Sequence, residues 1–294
     1  MCKRDFLSVG DITREEIEKV FEWAKVSKEK GELPKVLEGE VWALVFEKPS
    51  LRTRVTFSVG VYQLGGRVIY LSPQDIGLGK RESVKDIARN LSLWVDGIIV
   101  RTFAHEVVEE LAQHASVPVI NALTDEEHPA QVVADLFTMY EVVGELKGKV
   151  LAYVGDGNNV CQSLILGAKL MDMRMHIATP PGYEPKLEYV KRGNAMIFHD
   201  PRAAVEGVDF VYTDVWASMG KESEREVRRK VFAEYQVNEE LMGWAPNAYF
   251  MHCLPAHRGE EVTDGVIDGP RSLVLRQAEN RLHVQKGLLI LVKG

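Results

Sequence analysis

The stretch that decides the fold is Val41–Leu64, VWALVFEKPSLRTRVTFSVGVYQL. It begins with a short apolar run, VWALVF, that is typical of a buried strand. A polar loop then leads through Ser50 into a helical stretch over 52–64. A buried strand followed at once by a helix indicates the alternation from which parallel sheets are built.

The same alternation continues on both sides of this stretch. Further β-rich runs lie at 67–71, 97–101 and 117–122, and helical stretches lie at 84–95 and 106–115. A helical segment over 130–143 ends at Gly144, and a second series of strands follows in VLAYVG, MHIATP, AMIFH, DFVYTD and NAYFMHCL. The pattern predicts an α/β fold with two doubly wound parallel-sheet domains that join near residue 144.

Composition excludes several classes of protein. The chain has 294 residues, a net charge of −7 and 46% hydrophobic residues, which fits about two globular domains and excludes a disordered chain. Mild acidity argues against a nucleic-acid partner. Cys2, Cys161 and Cys253 form no disulfide framework, the first residues lack a signal-peptide pattern, and the apolar run Leu288–Val292 is too short for a membrane span. We expect a cytoplasmic protein without a membrane partner.

Two polar patches in the first half follow strands. Ser50-Leu51-Arg52-Thr53-Arg54 opens a helix, where free N–H groups and two arginines suit a phosphate; a solvated basic helix start is the alternative. Arg101 ends a strand and can reach the same anion, or it can snorkel at the surface.

A third patch, His128-Pro129-Ala130-Gln131, also opens a helix. His128 can donate to an oxyanion and Gln131 can accept from an amide N–H. The alternative is ordinary punctuation of a helix start, with Pro129 at its first position.

Three patches in the second half suit a zwitterionic amine. The turn Gly155–Asn159 lacks a third glycine, because Val160 stands there, and no acidic residue ends the next strand, so a nicotinamide cofactor is disfavoured. Asp214 can pair with an ammonium group beside a small loop over 215–220, or it can be an ordinary strand-end residue. In His252-Cys253-Leu254-Pro255, strand alternation places His252 and Cys253 on opposite faces, which excludes a hydrolase dyad.

No metal-ligand spacing accompanies these residues, so we expect no metal site. Pro255 is a place where a cis peptide bond is allowed, and a buried cysteine beside a turn proline is the plain alternative for this motif.

In chain order these pieces resemble the aspartate/ornithine carbamoyltransferase superfamily, and most closely its ornithine branch. The matching pieces cover nearly the whole chain: FEKPSLRTR, VRTFAH, HPAQVVADL, GDGNNV, TDVWASMG, FMHCLPAHRGEE and AENRLHVQK. The Ser-x-Arg-Thr-Arg and His-Pro-x-Gln pieces mark the superfamily. The Asp-Val-Trp-x-Ser-Met-Gly and His-Cys-Leu-Pro pieces mark the ornithine branch.

The resemblance implies transfer of the carbamoyl group of carbamoyl phosphate to the δ-amine of L-ornithine, giving L-citrulline and phosphate, as in arginine biosynthesis and the urea cycle. It implies no cofactor, no metal and a homotrimer or a multiple of trimers. It also implies a carbamoyl-phosphate-binding domain over 1–143, to which the C-terminal helix 278–294 returns. An ornithine-binding domain over 144–277 and a cleft between the two domains complete this expectation.

The resemblance also implies roles for single residues. Carbamoyl phosphate is expected to contact Ser50, Leu51, Arg52, Thr53, Arg101, His128, Pro129, Ala130, Gln131, Cys253, Leu254 and Arg281. Ornithine is expected to contact Asn159, Asp214, Ser218 and Met219. The residues expected to take part in catalysis are Arg101, His128, Asp214 and Cys253.

The chain departs from the family pattern at three places. Leu51 stands where a threonine is usual, Ser58 and Gly60 stand in the usual Phe-Glu-x-Ala helix, and Gly77 stands where a carbamoyl-phosphate-binding glutamine is frequent. Three alternatives remain open: a carbamoyltransferase for another amine such as putrescine or an acylated ornithine, a catalytically silent binding paralogue, and a dinucleotide-dependent dehydrogenase.

Overall fold

The computed structural model describes residues 3–31, 33–79, 81–220 and 222–294, so Cys2 lies outside the described residues. The chain divides into two compact units. The first unit contains Met1–Phe137 and Glu279–Gly294, and the second contains Thr138–Ala278. Both boundaries between the units fall inside helices, which are given below.

The first unit contains a sheet of four parallel strands, β1 (Val41–Phe46), β2 (Arg67–Leu71), β3 (Gly97–Arg101) and β4 (Val119–Leu123), in the order β2-β1-β3-β4. A 3-10 turn at Val9–Asp11 precedes the helices α1 (Arg14–Lys30), α2 (Leu51–Gln63), α3 (Pro73–Ile76), α4 (Val84–Leu91), α5 (His105–His114) and α6 (Pro129–Val143).

The second unit contains a sheet of five parallel strands, β5 (Val150–Val154), β6 (Arg174–Ala178), β7 (Met196–Phe198), β8 (Phe210–Tyr212) and β9 (Tyr249–Met251), in the order β7-β6-β5-β8-β9. Its helices are α7 (Asn159–Leu170), α8 (Leu187–Gly193), α9 (Pro201–Val205), α10 (Arg225–Val231), α11 (Glu239–Gly243) and α12 (Asp264–Ile267). Short 3-10 turns lie at Glu222–Glu224 and Ala233–Tyr235, and α13 (Val274–Lys293) ends the chain.

Strand order locates one switch point in each sheet. The chain leaves β1 towards β2 on one side and later adds β3 on the other, and β5 stands in the same relation to β6 and β8. Ligands in open parallel sheets bind beyond the carboxyl ends of the strands at such a point. The fold therefore directs attention to the residues after β1 and β3 in the first unit and after β5 and β8 in the second.

The structure confirms the predicted α/β class with two parallel sheets. Every strand overlaps a predicted run, and β4 and β6 each extend one residue beyond it. The capping box of Thr13 and Glu16 opens α1. Within the run NAYFMHCL, β9 ends at Met251, directly before His252. Leu254 adopts a left-handed backbone conformation with φ +59°, which does not fit a β-strand. The Leu254–Pro255 peptide bond is cis. Among the described residues no helix is long and apolar enough to cross a membrane.

Candidate functional site

The loop after β1 leads directly into the start of α2. Ser50 is the N-cap in an extended conformation, and its Oγ accepts a hydrogen bond from the Thr53 N–H at 3.2 Å. The Leu51 side chain is 74% exposed, so this residue can offer a ligand only its backbone. Thr53 is buried. The Arg54 guanidinium lies 3.5 Å from the centroid of the Tyr70 ring, which assigns it to that ring and not to the helix start.

Arg281 of α13 joins this helix start to α6 within the first unit. Its buried guanidinium donates to Thr53 Oγ1 at 2.6 Å and to Gln131 Oε1. Gln131 Nε2 in turn donates to Asp135 Oδ1 at 2.7 Å. The Gln131 carbonyl oxygen was expected to accept from a substrate amide; here it accepts from Arg281, and a carbonyl oxygen keeps a second lone pair for a ligand.

Arg101 and His128 lie deep in the same unit. Arg101 is only 4% exposed, which rules out the surface arginine that the strand-end pattern left open. His128 is equally buried and immediately precedes Pro129, the first residue of α6. Burial, followed by the charges of Arg281, Arg101 and Arg52, holds the pKa of His128 well below its ordinary 6.5. The imidazole is therefore neutral at pH 7, with one N–H donor and one acceptor.

The structure brings together some of the residues that the sequence predicted to bind carbamoyl phosphate, but it does not join all of them. Thr53, Gln131 and Arg281 are joined by hydrogen bonds, and Arg52, Arg101 and Arg281 act on His128 through their charges. Ala130 is fully buried in the first turn of α6. These residues form what we call the cationic cluster, defined as Arg52, Thr53, Arg101, His128, Gln131 and Arg281.

In the second unit, the turn after β5 and the loop after β8 meet through side chains. Both carboxylate oxygens of Asp214 accept hydrogen bonds, from Asn158 Nδ2 at 2.8 Å and from Cys253 Sγ at 3.2 Å. Asn158 is also the N-cap of α7, because its Oδ1 accepts from the Val160 and Cys161 N–H groups. The buried Tyr153 hydroxyl, whose pKa burial raises well above 10, donates to the same oxygen at 3.2 Å.

The residues predicted to bind ornithine lie close in the sequence to Asn158 and Asp214. Asn159 is buried in the first turn of α7 beside the N-cap Asn158. Ser218 and Met219 lie four and five residues beyond Asp214 on the loop over 215–220, and the Met219 side chain is 42% exposed. Leu254 is half-buried and packs against the core of this unit. The structure thus places an acid, a thiol and a partly exposed loop in one unit.

The prediction that His252 and Cys253 point to opposite faces of a strand was wrong. Both residues follow the end of β9, and ligand atoms of Asp214, His252 and Cys253 all lie within 4.8 Å of one another. The imidazole is nevertheless engaged elsewhere, because Nδ1 accepts from the Leu254 N–H at 2.8 Å and Nε2 faces Glu261 Oε1 at 3.3 Å. Neither nitrogen has a lone pair directed at the other two residues, which disfavours this group as a metal site.

A second group of metal-ligating atoms lies nearby. His257 Nδ1 is 3.9 Å from the nearest oxygens of Glu260 and Glu261. Glu260 is already ion-paired with Arg225 at 2.6 Å. The charge of that carboxylate is therefore balanced by protein, which also disfavours a metal ion there.

One of the departures from the family pattern has a local structural reason. Gly77 ends α3 with φ +54°, and a Cβ at this position would lie 3.0 Å from the Arg81 Cβ, so a glutamine would be strained. Gly60 of α2 lies against α13, and a Cβ there would be 3.4 Å from the Lys286 Cγ. The usual alanine would therefore make ordinary van der Waals contact here, and the structure gives no reason for the glycine.

Sequence reasoning missed two residues of the second unit. Asn158 lies in the turn that was predicted to suit a zwitterionic amine, but its side chain caps α7 and holds Asp214. Arg228 was not selected at all, because it lies in no motif, yet it is buried on α10, whose other residues are exposed. A lone arginine among charged helix residues carries no signal in the sequence that distinguishes it from a solvated one.

Comparison with known proteins yields matches over the whole chain. The family model described as "Aspartate/ornithine carbamoyltransferase, carbamoyl-P binding domain" matches residues 4–141, and the "Asp/Orn binding domain" model of the same family matches residues 147–292.

Relatives and solved structures agree with these models. The ornithine carbamoyltransferase of Anoxybacillus flavithermus is 51% identical over 98% of this chain and 96% of that protein, and that of Thermococcus kodakarensis is 50% identical over 100% and 98%. The solved structure of ornithine carbamoyltransferase from Pyrococcus furiosus has 48% sequence identity to this chain and a TM-score of 0.95. The match covers 99% of this chain and 97% of that one. An N-acetyl-L-ornithine transcarbamylase is 30% identical, with a TM-score of 0.89 over 98% and 99%.

Proposed function

This chain belongs to the aspartate/ornithine carbamoyltransferase family, and on that premise we propose that it transfers the carbamoyl group of carbamoyl phosphate to the δ-amine of L-ornithine, giving L-citrulline and phosphate. The observation that carries the proposal is the cationic cluster. Three arginines act on a neutral, buried histidine in a protein whose net charge is −7. Such a concentration of positive charge suits a small anion with a polarised carbonyl group.

Carbamoyl phosphate is held, in this proposal, by the residues at the switch point of the first sheet. The phosphate lies at the N-terminus of α2, where Ser50, Leu51 and Thr53 offer backbone or hydroxyl groups and Arg52 offers a bidentate donor. Arg101 bridges the phosphate and the carbonyl oxygen. Arg281 and Gln131 support Thr53 and the carbamoyl amide, beside Pro129 and Ala130 at the start of α6.

His128 stabilises the negative charge that develops on the carbonyl oxygen. A neutral imidazole can donate its N–H to this oxygen without holding a charge that the surrounding arginines would oppose. Because donors that are already in place need not reorganise, Arg101, Thr53 and His128 lower the barrier of the tetrahedral step. The protein itself forms no covalent bond to the substrate in this mechanism.

Ornithine is held by the switch point of the second sheet, through Asn159, Asp214, Ser218 and Met219. Asp214 attracts an ammonium group, and its hydrogen bonds from Asn158 and Cys253 fix the direction of the carboxylate. Cys253 and the adjacent Leu254 lie next to the attacking amine. In the reaction a C–N bond forms, the C–O bond to phosphate breaks, and the departing phosphate accepts the proton from nitrogen.

The same proposal extends to organisation and setting. Residues 1–143 with 278–294 bind carbamoyl phosphate, and residues 144–277 bind ornithine. Leu51, Val55 and Tyr62 form an exposed apolar stripe on α2, which suits contact with another copy of the chain in a homotrimer or a multiple of it. A free thiol at Cys253 persists in a reducing compartment, so we place the protein in the cytoplasm and in arginine biosynthesis.

The test is a citrulline assay with the purified protein and a panel of amines. Carbamoyl phosphate is supplied with L-ornithine, putrescine or N-acetyl-L-ornithine, and products are separated by chromatography. We expect L-ornithine to be the preferred acceptor. Absence of product with every amine, or a clear preference for another amine, would overturn the proposal.

A variant pair assigns the activity to the cluster. Arg52→Ala is expected to lower kcat/KM for carbamoyl phosphate about 100-fold, which corresponds to roughly 3 kcal/mol from charged hydrogen bonds. Arg276→Ala, an exposed arginine of α13, is the matched control and is expected to leave the rate unchanged. Full activity of the Arg52→Ala variant would contradict the assigned phosphate site.

A further inference from the structure

Arg228 is a buried arginine in a helix that is otherwise exposed. Only 4% of the residue is accessible, whereas its charged neighbours in α10 lie at the surface. Burying a guanidinium is costly unless its charge and its N–H groups are satisfied by the protein. The partners of Arg228 therefore indicate what the buried charge is holding.

A single guanidinium contacts three separate segments of the second unit. Nη1 donates to the Trp216 carbonyl oxygen at 2.7 Å and lies 2.9 Å from Asp156 Oδ2. Its central carbon lies 5.0 Å from the centroid of the Tyr183 ring. Nε donates to Glu224 Oε2 at 2.8 Å, which fixes the side chain to the 3-10 turn directly before α10. The three segments are the turn over 155–159, the loop over 214–220 and the segment over 180–185.

These three segments also pack against one another. A Cβ at Gly157 would lie 2.1 Å from the Pro185 nitrogen, so the turn rests directly on the third segment. The Trp216 ring stacks on Phe232, which directly follows α10, with centroids 5.8 Å apart. Trp216 is thus held through its ring by packing and through its carbonyl oxygen by Arg228.

Two of the segments carry the residues to which the proposed function assigns ornithine. Asp156 is three residues before Asn159, and Trp216 lies between Asp214 and Ser218 on the same loop. Arg228 itself has no side-chain atom assigned to the substrate. Its ion pair and its backbone hydrogen bond fix the distance between the turn and the loop.

We propose that Arg228 is a positioning residue that holds the loop bearing Ser218 and Met219 in register with the turn bearing Asn159, and so sets the affinity for the amino-acid substrate. The proposal rests on the assignment of ornithine to this unit. It predicts a change confined to that substrate, because the contacts of Arg228 described above all lie within the second unit.

The test compares steady-state kinetics of Arg228→Met and Arg228→Lys with wild type. Methionine keeps most of the volume and removes the charge and all donors. We expect Arg228→Met to raise the KM for L-ornithine at least tenfold and to change the KM for carbamoyl phosphate by less than twofold. Arg228→Lys is expected to lie in between, since an ammonium group restores the charge opposite Asp156 but not the planar fork.

Arg229→Met is the matched control. Arg229 is the next residue, its side chain is 53% exposed, and its nearest acidic partner is Glu226 at 3.8 Å. We expect both KM values to be unchanged. Equal changes in the two KM values of Arg228→Met, or a loss of kcat and thermal stability alone, would show that Arg228 is only a structural brace and would overturn the proposal.

A binding measurement separates this inference from the proposed reaction. L-norvaline has the skeleton of ornithine without its δ-amine, so it binds without reacting. Calorimetry with carbamoyl phosphate present is expected to give a Kd for L-norvaline at least tenfold weaker in Arg228→Met than in wild type. If wild type makes no citrulline but this difference is found, the reaction is wrong and the positioning role stands; an unchanged Kd overturns the positioning role.

Discussion

Replacing His128 with glutamine is expected to make the protein less sensitive to mild acid. Burial and the charges of Arg281, Arg101 and Arg52 hold the pKa of native His128 well below 6.5, whereas in the unfolded chain the imidazole titrates at its ordinary value. As the pH falls through 6.5, the unfolded state therefore takes up a proton that the native state refuses. The free energy of unfolding therefore decreases as the pH falls from about 6.5 towards the pKa of native His128.

The magnitude follows from the unfolded-state titration alone. One histidine that stays neutral in the native state lowers the free energy of unfolding by about 1.4 kcal/mol between pH 8 and pH 5.5. His128→Gln removes this contribution, because glutamine does not titrate. Any cost of the substitution in packing or hydrogen bonding is present at both pH values and cancels in the difference.

Urea unfolding of wild type and His128→Gln at pH 8 and pH 5.5, at one protomer concentration, measures this difference. We expect the loss of stability between the two pH values to be about 1.4 kcal/mol smaller in the variant. An identical loss in the two proteins would refute the reasoning. It would mean that the native imidazole accepts a proton among the three arginines and is not the neutral donor assigned to catalysis.

Two further outcomes test other parts of the structure. Both amide atoms of Gln285 are buried without a hydrogen-bond partner among the described residues, so Gln285→Met is expected to stabilise the protein by about 1–2 kcal/mol; a lower melting temperature would contradict this. Asn158→Ser keeps an N-cap for α7 but removes the hydrogen bond to Asp214, and we expect a higher KM for L-ornithine at nearly unchanged stability, whereas Asn158→Ala should also lose about 1 kcal/mol. Identical ornithine KM values in wild type and both variants would show that Asp214 needs no support from Asn158.

The sequence predicted best those features that depend on local periodicity. Val41–Phe46 and Gly97–Arg101 are strands within the predicted limits because continuous apolar runs of this length have few alternatives. Ser50 and Pro129 mark helix starts because capping is a local property. Chain order alone then placed the polar patches at strand ends.

Features that depend on contacts between distant segments escaped prediction. The face assigned to His252 was wrong because alternation applies only inside a strand, and β9 ends one residue earlier. Arg228 was missed because its burial results from Asp156, 72 residues away, and from the loop at Trp216. The hydrogen bonds from Arg281 to Thr53 and Gln131 likewise join residues more than 100 positions apart.

The acidic net charge and the cationic cluster are compatible. A charge of −7 is spread over the whole chain and disfavours long polyanions, whereas Arg101 and Arg281 are almost inaccessible to solvent. Within a low-dielectric interior, nearby charges dominate the local potential. A small anion such as carbamoyl phosphate therefore experiences the cluster and not the average charge of the protein.

The most direct test of the central claim is to observe the bond that the reaction forms. Carbamoyl phosphate labelled with carbon-13 is incubated with the protein and with L-ornithine labelled with nitrogen-15 at the δ position, and the product is examined by NMR. We expect citrulline whose carbamoyl carbon shows direct carbon–nitrogen coupling, formed together with an equal amount of phosphate. Release of phosphate without this coupled product would contradict carbamoyl transfer to the δ-amine.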